Sequence, residues 1–216
     1  FTDAALPARL LRPLLKEATD KSFNAITVDS DTSTSDTCLL VATGANKVDG
    51  PAIRRLDDPR LAQFRKALTD VMQDVAIQVV CDGEGVSKLM TVDVSGAEDD
   101  AAARRIGLAI GNSPLVKTAV AGADANWGRI VMAVGKSGER VDRDRLSIEI
   151  GGHKVARRGR VVPGYDEAPV ARHMQGQRIH IAVDVGAASG KAKGGTRIWA
   201  SDLTHGYISI NADYRS

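Results

Sequence analysis

The sequence predicts an α/β chain, and three observations carry that expectation. Residues 61–80 hold apolar side chains at helical spacing along their whole length, which marks a long amphipathic helix. Several short runs of Val, Ile and Leu, bounded by Gly, Asn and Asp, have the size and composition of strands. Aromatic residues are only 4% of the chain, so its core has to be built from Val, Leu, Ile and Ala. A chain of 216 residues can bury such a core as one large domain or two small ones. The boundary is expected at Gly111-Asn112, with a first part over residues 1–111 and a smaller, strand-rich α+β part over residues 112–216.

Taken in order, Thr2 or Asp3 is expected to cap a first helix with apolar positions Leu6, Leu10, Leu11, Leu14 and Leu15, Pro7 being tolerated in its first turn. Residues 26–28 and 38–42 read as short buried strands. Residues 29–37 between them are nine consecutive small oxygen-bearing side chains. A loop held by side-chain-to-backbone bonds accounts for them. A calcium loop would need a Gly in its middle and a Glu at its end, and neither is present. The 61–80 helix should stop at Cys81-Asp82-Gly83-Glu84-Gly85, followed by a strand over 89–94 and a helix over 98–110.

Residues 113–138 stand out. The β-branched run at 115–120 reads as a strand, 122–126 as a turn, and Asn126 as the cap of a helix bearing Trp127, Ile130, Val131 and Val134. Arg129 beside Asp124 and Asn126 would suit an anion, although an ordinary capped helix explains the same residues. Strands are expected beyond it at 146–150, 155–162, 178–185, 196–200 and 207–210, with Gly151-Gly152 as a hairpin turn and 187–195 as a hairpin tip.

Several function classes are disfavoured. A formal charge of +2 is too small for a nucleic-acid protein, and the basic run 153–160 reads as a solvated strand face. No apolar run has membrane-spanning length, and residues 1–3 do not resemble a signal peptide. Cys38 and Cys81 are expected to be buried free thiols, which points to the cytoplasm. The histidines at 153, 173, 180 and 205 lack zinc spacing, and no cofactor or metal is expected. Glu84 sits between two glycines where a helix meets a strand. An exposed turn acid is one account of it, and a carboxylate presented to a ligand amine is the other.

Asp124-Ala125-Asn126-Trp127-Gly128-Arg129, preceded by Leu115-Val116-Lys117-Thr118-Ala119, closely resembles the ornithine acetyltransferase (glutamate N-acetyltransferase) family of arginine biosynthesis. That family more often has Pro at the position of Ala125, and many members have Asn at that of Ser35. The hydroxyl-rich stretch, the Glu84-Gly85-Val86-Ser87-Lys88 segment and the Asn211-Ala212-Asp213-Tyr214 ending fit the same pattern in the right order. The resemblance implies a layered α/β sandwich of the self-cleaving N-terminal-nucleophile type, built jointly with an α chain, commonly as an α2β2 heterotetramer. It implies that Glu84, Asn211 and Ser216 touch substrate. Thr2-Asp3-Ala4 matches the end of the strand that follows the nucleophilic Thr, so that Thr is expected just before Phe1, with the oxyanion-hole groups on the α chain. The implied reaction moves an acetyl group from N-acetylornithine to glutamate, and leaves acetyl-CoA open as a further donor. Two rivals stand beside it: an amidohydrolase or aminopeptidase of the same self-cleaving fold, and a non-catalytic α/β binding domain.

Overall fold

The computed structural model describes residues 1–46, 50–187 and 193–214. In chain order its elements are β1 (Thr2–Ala4), α1 (Ala8–Asp20), β2 (Ile26–Thr27), β3 (Ala42–Asn46), α2 (Leu61–Cys81), β4 (Leu89–Ala97), α3 (Asp100–Gly111), α4 (Pro114–Ala121) and α5 (Trp127–Lys136). They continue as β5 (Ser147–Ile150), β6 (His153–Arg157), β7 (Arg160–Val161), α6 (Glu167–Met174), β8 (Arg178–Asp184), β9 (Gly194–Ser201) and α7 (His205–Asp213). The fold is α/β. Two compact units emerge, Phe1–Asn24 with Asp31–Ile77, and Ala25–Ser30 with Gln78–Ser216. The units therefore do not separate at 111/112, which is the connection between α3 and α4 inside the larger one.

In the smaller unit β1 lies parallel to β3, and Leu10 and Leu14 of α1 form a core with Ile53 and Leu61. Thr2 and Asp3 are strand residues here, and α1 begins after Pro7 with no side-chain cap. The 38–42 run is not a buried strand. Leu39 is 77% exposed and only Ala42 joins β3. Cys38 and Cys81 are both exposed free thiols, which corrects the expectation of buried ones.

The larger unit is built on one seven-stranded sheet in the order β2-β9-β4-β8-β5-β6-β7. Strand β4 is parallel to β8 on one side and antiparallel to β9 on the other. The pleat sends alternate residues to opposite faces. Register therefore puts Met90, Val92 and Val94 in line with Ile179, Ile181 and Val183 and with Ile198 and Ala200, all of them buried. Helix α3 lies on this face, capped by Asp99, whose side chain accepts from the Ala102 N–H. It can lie close because it presents glycine there: a Cβ on Gly107 would come within 2.7 Å of Ile198. The Gly151-Gly152 hairpin turn is found where expected, both residues having positive φ.

Four expectations are corrected in this unit. Residues 115–120 are helical, because Ser113 caps α4 with Pro114 in its first turn, and Val116, Ala119 and Val120 fall on one buried stripe. Residues 207–210 are helical too, since the Thr204 hydroxyl accepts from the Gly206 and Tyr207 N–H groups and starts α7. The expected 155–162 strand is split by the turn Arg158-Gly159 into β6 and β7. The 187–195 connection does not close a hairpin, because β4 lies between β8 and β9; residues 188–192 of that connection lie outside the described residues.

Candidate functional site

The glycines around Glu84 make a tight turn in which the Val86 N–H donates to the Gly83 carbonyl at 3.1 Å. Gly85 has φ of +67°, a conformation that a residue with a Cβ rarely adopts. Close approach demands glycine there as well. A Cβ on Gly85 would sit 2.2 Å from the Tyr207 nitrogen and 2.5 Å from the Gly206 carbonyl carbon, so the turn rests directly on the first turn of α7. The Thr204 hydroxyl, besides capping that helix, donates to the Gly85 carbonyl at 2.6 Å.

This junction brings two of the expected residues together. The Asn211 side-chain amide, one turn further along α7, donates to Glu84 Oε2 at 2.8 Å and to the Tyr207 carbonyl at 3.1 Å. Both side chains are exposed, so the pair is open to a small molecule. Near the start of α7 the Tyr207 hydroxyl donates to Asp29 Oδ2 at 3.0 Å. Ser216, the third expected residue, lies outside the described residues.

Beneath the turn sits a buried polar layer that the residue pattern did not single out. Asp202 accepts from the Ser87 N–H at 2.9 Å and from the Ser87 hydroxyl, and is only 3% exposed. Lys117, equally buried, donates to the Ser201 carbonyl at 2.5 Å and to its hydroxyl at 2.9 Å. Burial pushes the Lys117 ammonium down to about 8, against the opposing pull of Asp202 and Asp29. Lys88 donates to the carbonyls of Val120 and Met174. A lysine inside an apolar run is the one sequence signal that could have drawn attention here, since an unpaired lysine is almost never fully buried.

The polar groups of the Asp124–Arg129 stretch are taken up by bonds within the chain. Asn126 caps α5 by accepting from the Arg129 N–H and donates to Asp124, while the Arg129 guanidinium donates to the Leu115 carbonyl at 2.8 Å and to the Thr118 hydroxyl. These groups tie α5 to α4.

On the opposite sheet face Asp93 accepts two bonds from Arg197 and one from His180. Burial alone would raise its pKa, but those bonds hold it below the usual carboxylate range. Among the described residues no group of three or more His, Cys, Asp or Glu could hold a metal ion, and no helix is long and apolar enough to cross a membrane.

A family model described as the ArgJ family matches residues 1–216. The chain belongs to the ArgJ family. Among curated relatives, the arginine biosynthesis bifunctional protein ArgJ of Gluconobacter oxydans is 56% identical over 215 residues, a match spanning 100% of this chain and 49% of that protein. Its counterpart in Zymomonas mobilis is 55% identical over 216 residues, with 100% and 51% covered. The chain thus spans about half the length of the curated relatives it matches. The crystal structure of the arginine biosynthesis bifunctional protein argJ from Bacillus halodurans is similar at a TM-score of 0.89 and 36% identity, covering 99% of this chain and 97% of that one. An ArgJ fold over the whole length agrees with the α/β architecture described above.

Proposed function

We propose that this chain is the β part of a self-cleaving acetyltransferase that moves the acetyl group of N2-acetylornithine to glutamate in arginine biosynthesis. The observation that carries the reading is the open Glu84–Asn211 pair, held at 2.8 Å by a turn that only glycine at position 85 can form. ArgJ membership supports the reaction class. Val71 and Val75, one turn apart on α2 and exposed at 62% and 43%, give a small apolar strip that a second chain would cover.

In this reading the nucleophile is a Thr released upstream of Phe1, whose freed α-amine takes the hydroxyl proton. Attack on the acetyl carbonyl gives a tetrahedral oxyanion, held by donors of the α chain. Its collapse expels ornithine, which leaves with the proton, and acetyl-Thr remains. Glutamate's amine then attacks that ester, the oxyanion forms again, and N-acetylglutamate departs as the Thr oxygen recovers its proton. Glu84 supplies negative charge for a substrate ammonium, Asn211 orients its carboxylate, and Ser216 completes the contact set. Acetyl-CoA would enter as a donor to the same Thr, and an α2β2 assembly in the cytoplasm fits the family.

Denaturing intact-mass spectrometry of the natively purified protein, before and after N-acetylornithine, tests this. A second polypeptide is expected, with an acetyl-sized gain on the fragment bearing the N-terminal Thr that glutamate removes. Loss of the adduct to water at the same rate without glutamate would favour the hydrolase, and no adduct at all a binding domain. Glu84→Ala should lower kcat/KM by about a hundredfold with the melting temperature unchanged, the size expected for one charge-assisted contact.

A further inference from the structure

A buried ammonium has to be explained. Removing a lysine charge from water costs several kcal/mol, and an apolar side chain of similar volume commonly serves stability as well. Lys117 is 3% exposed, and the acetyl-transfer reading gives it no part. What its charge and N–H groups supply is direction.

The segment it grips is short and fully tied. Ser201 receives Lys117 Nζ at its carbonyl and hydroxyl, and its own hydroxyl donates to the Val28 carbonyl at 3.1 Å. Asp202 grips Ser87, the Leu203 N–H donates to the Lys117 carbonyl at 3.3 Å, and Thr204 grips Gly85. Four consecutive residues are thus bound alternately to α4 and to the turn that carries Glu84. The chain then enters α7, which carries Asn211. Helix α4 is itself braced on both sides of Lys117, because Arg129 holds Leu115 and Thr118.

We propose that Lys117 is a positioning residue: by fixing residues 201–204 against α4 it sets the spacing of Glu84 and Asn211, and so governs how tightly the acyl donor is held. The proposal rests on the substrate role given to Glu84 and Asn211 above. It also gives the Asp124–Arg129 stretch a task, which is to hold the helix that presents this lysine.

The test is steady-state kinetics of the complete, matured two-chain protein with N-acetylornithine and glutamate, comparing Lys117→Met, Glu84→Ala, Asn211→Ala and the double variant Lys117→Met/Asn211→Ala. Lys117→Met should raise the donor KM about tenfold with kcat within about threefold, the pattern of lost binding rather than lost chemistry. In the Asn211→Ala background it should add less than about twofold, because residues acting through one contact are not additive. An unchanged KM in Lys117→Met, with Glu84→Ala and Asn211→Ala impaired, overturns the proposal and leaves the site intact. A full tenfold effect in both backgrounds overturns it as well, since Lys117 would then act elsewhere. Wild-type kinetics in Glu84→Ala and Asn211→Ala instead sink the site reading, and the proposal with it. If Lys117→Met fails to mature, Ser201→Ala removes one of its partners, with about a threefold coupled rise in donor KM expected; no rise overturns the proposal.

Discussion

The two compact units close their apolar surface by different means. In the larger one, strands β4, β5, β8 and β9 line up a face of Ile, Val, Met and Ala, and α3 lies on it close enough that Gly107 has no room for a side chain. In the smaller one the core is a cluster of Leu10, Leu14, Ile53 and Leu61, beside a two-stranded sheet that runs only five residues at its longer strand. Leu39, Val71 and Val75 stay exposed around it. A pleated face under a helix completes its own core, because every second residue is delivered to the same side. A cluster of helix and loop residues has no such repeat; the larger unit leaves apolar side chains exposed as well, Leu115, Ile208 and Ile210 among them, but on helices α4 and α7 and not on the sheet face under α3.

Cutting into each core should separate the two cases. Ile198→Ala, at a fully buried position under α3, is expected to cost about 4 kcal/mol, since the sheet cannot collapse into the space. Leu14→Ala should cost about 2–3 kcal/mol, because a less regular surround relaxes further. Denaturant unfolding with hydrogen exchange reads both, and equal costs would break the comparison.

Lys117 tests the polar side of the larger unit. Its folded pKa of about 8 lies below the ordinary 10.5. Between those values the unfolded chain holds a proton that the folded chain has released, so stability rises with pH across that window and the gain is lost again as pH falls through about 8. The full shift amounts to about 3 kcal/mol. The stability difference between wild type and Lys117→Met, followed from pH 7.5 to 10.5, is expected to change in that sense; a pH-independent difference would show that burial does not depress this lysine. The smallest effect is expected at the uncovered apolar residues. Val71→Ser should alter the stability of this chain by less than about 0.5 kcal/mol. If a second chain covers that residue, the same substitution should measurably weaken the association, read by native mass spectrometry.

Much of this was legible in the residues. The 61–80 stripe, the strand from 89, the 98–110 helix and the Gly151-Gly152 turn follow from period and turn chemistry, and the structure has them. Two of the errors share one cause. Residues 115–120 and 207–210 read as strands on their β-branched content, but the hydroxyls of Ser113 and Thr204 cap helices, and a cap outweighs so weak a propensity. Helix α6 carried its signal in Asp166, which caps it, yet Pro169 inside a short polar stretch hid the period. As candidates, Glu84 is marked by its flanking glycines and Asn211 by resemblance alone, and nothing local indicates that a turn at 84 and a helix at 211 meet. The Lys117 layer is less legible still. Its partners are Ser201 and the neighbouring Asp202, far along the chain, and only the folded sheet reveals them.

The place of β4 in the sheet has a consequence for how the chain is made. Its residues 89–97 are flanked by 178–184 on one side and 194–201 on the other, so this interior strand is synthesised well before either neighbour. Until the last of these has emerged, one edge of β4 stays open, with Met90, Val92 and Val94 along it. Such late, long-range pairing makes folding slow and leaves a sticky intermediate. A nascent chain paused between β8 and β9 is therefore the species that a chaperone should hold longest.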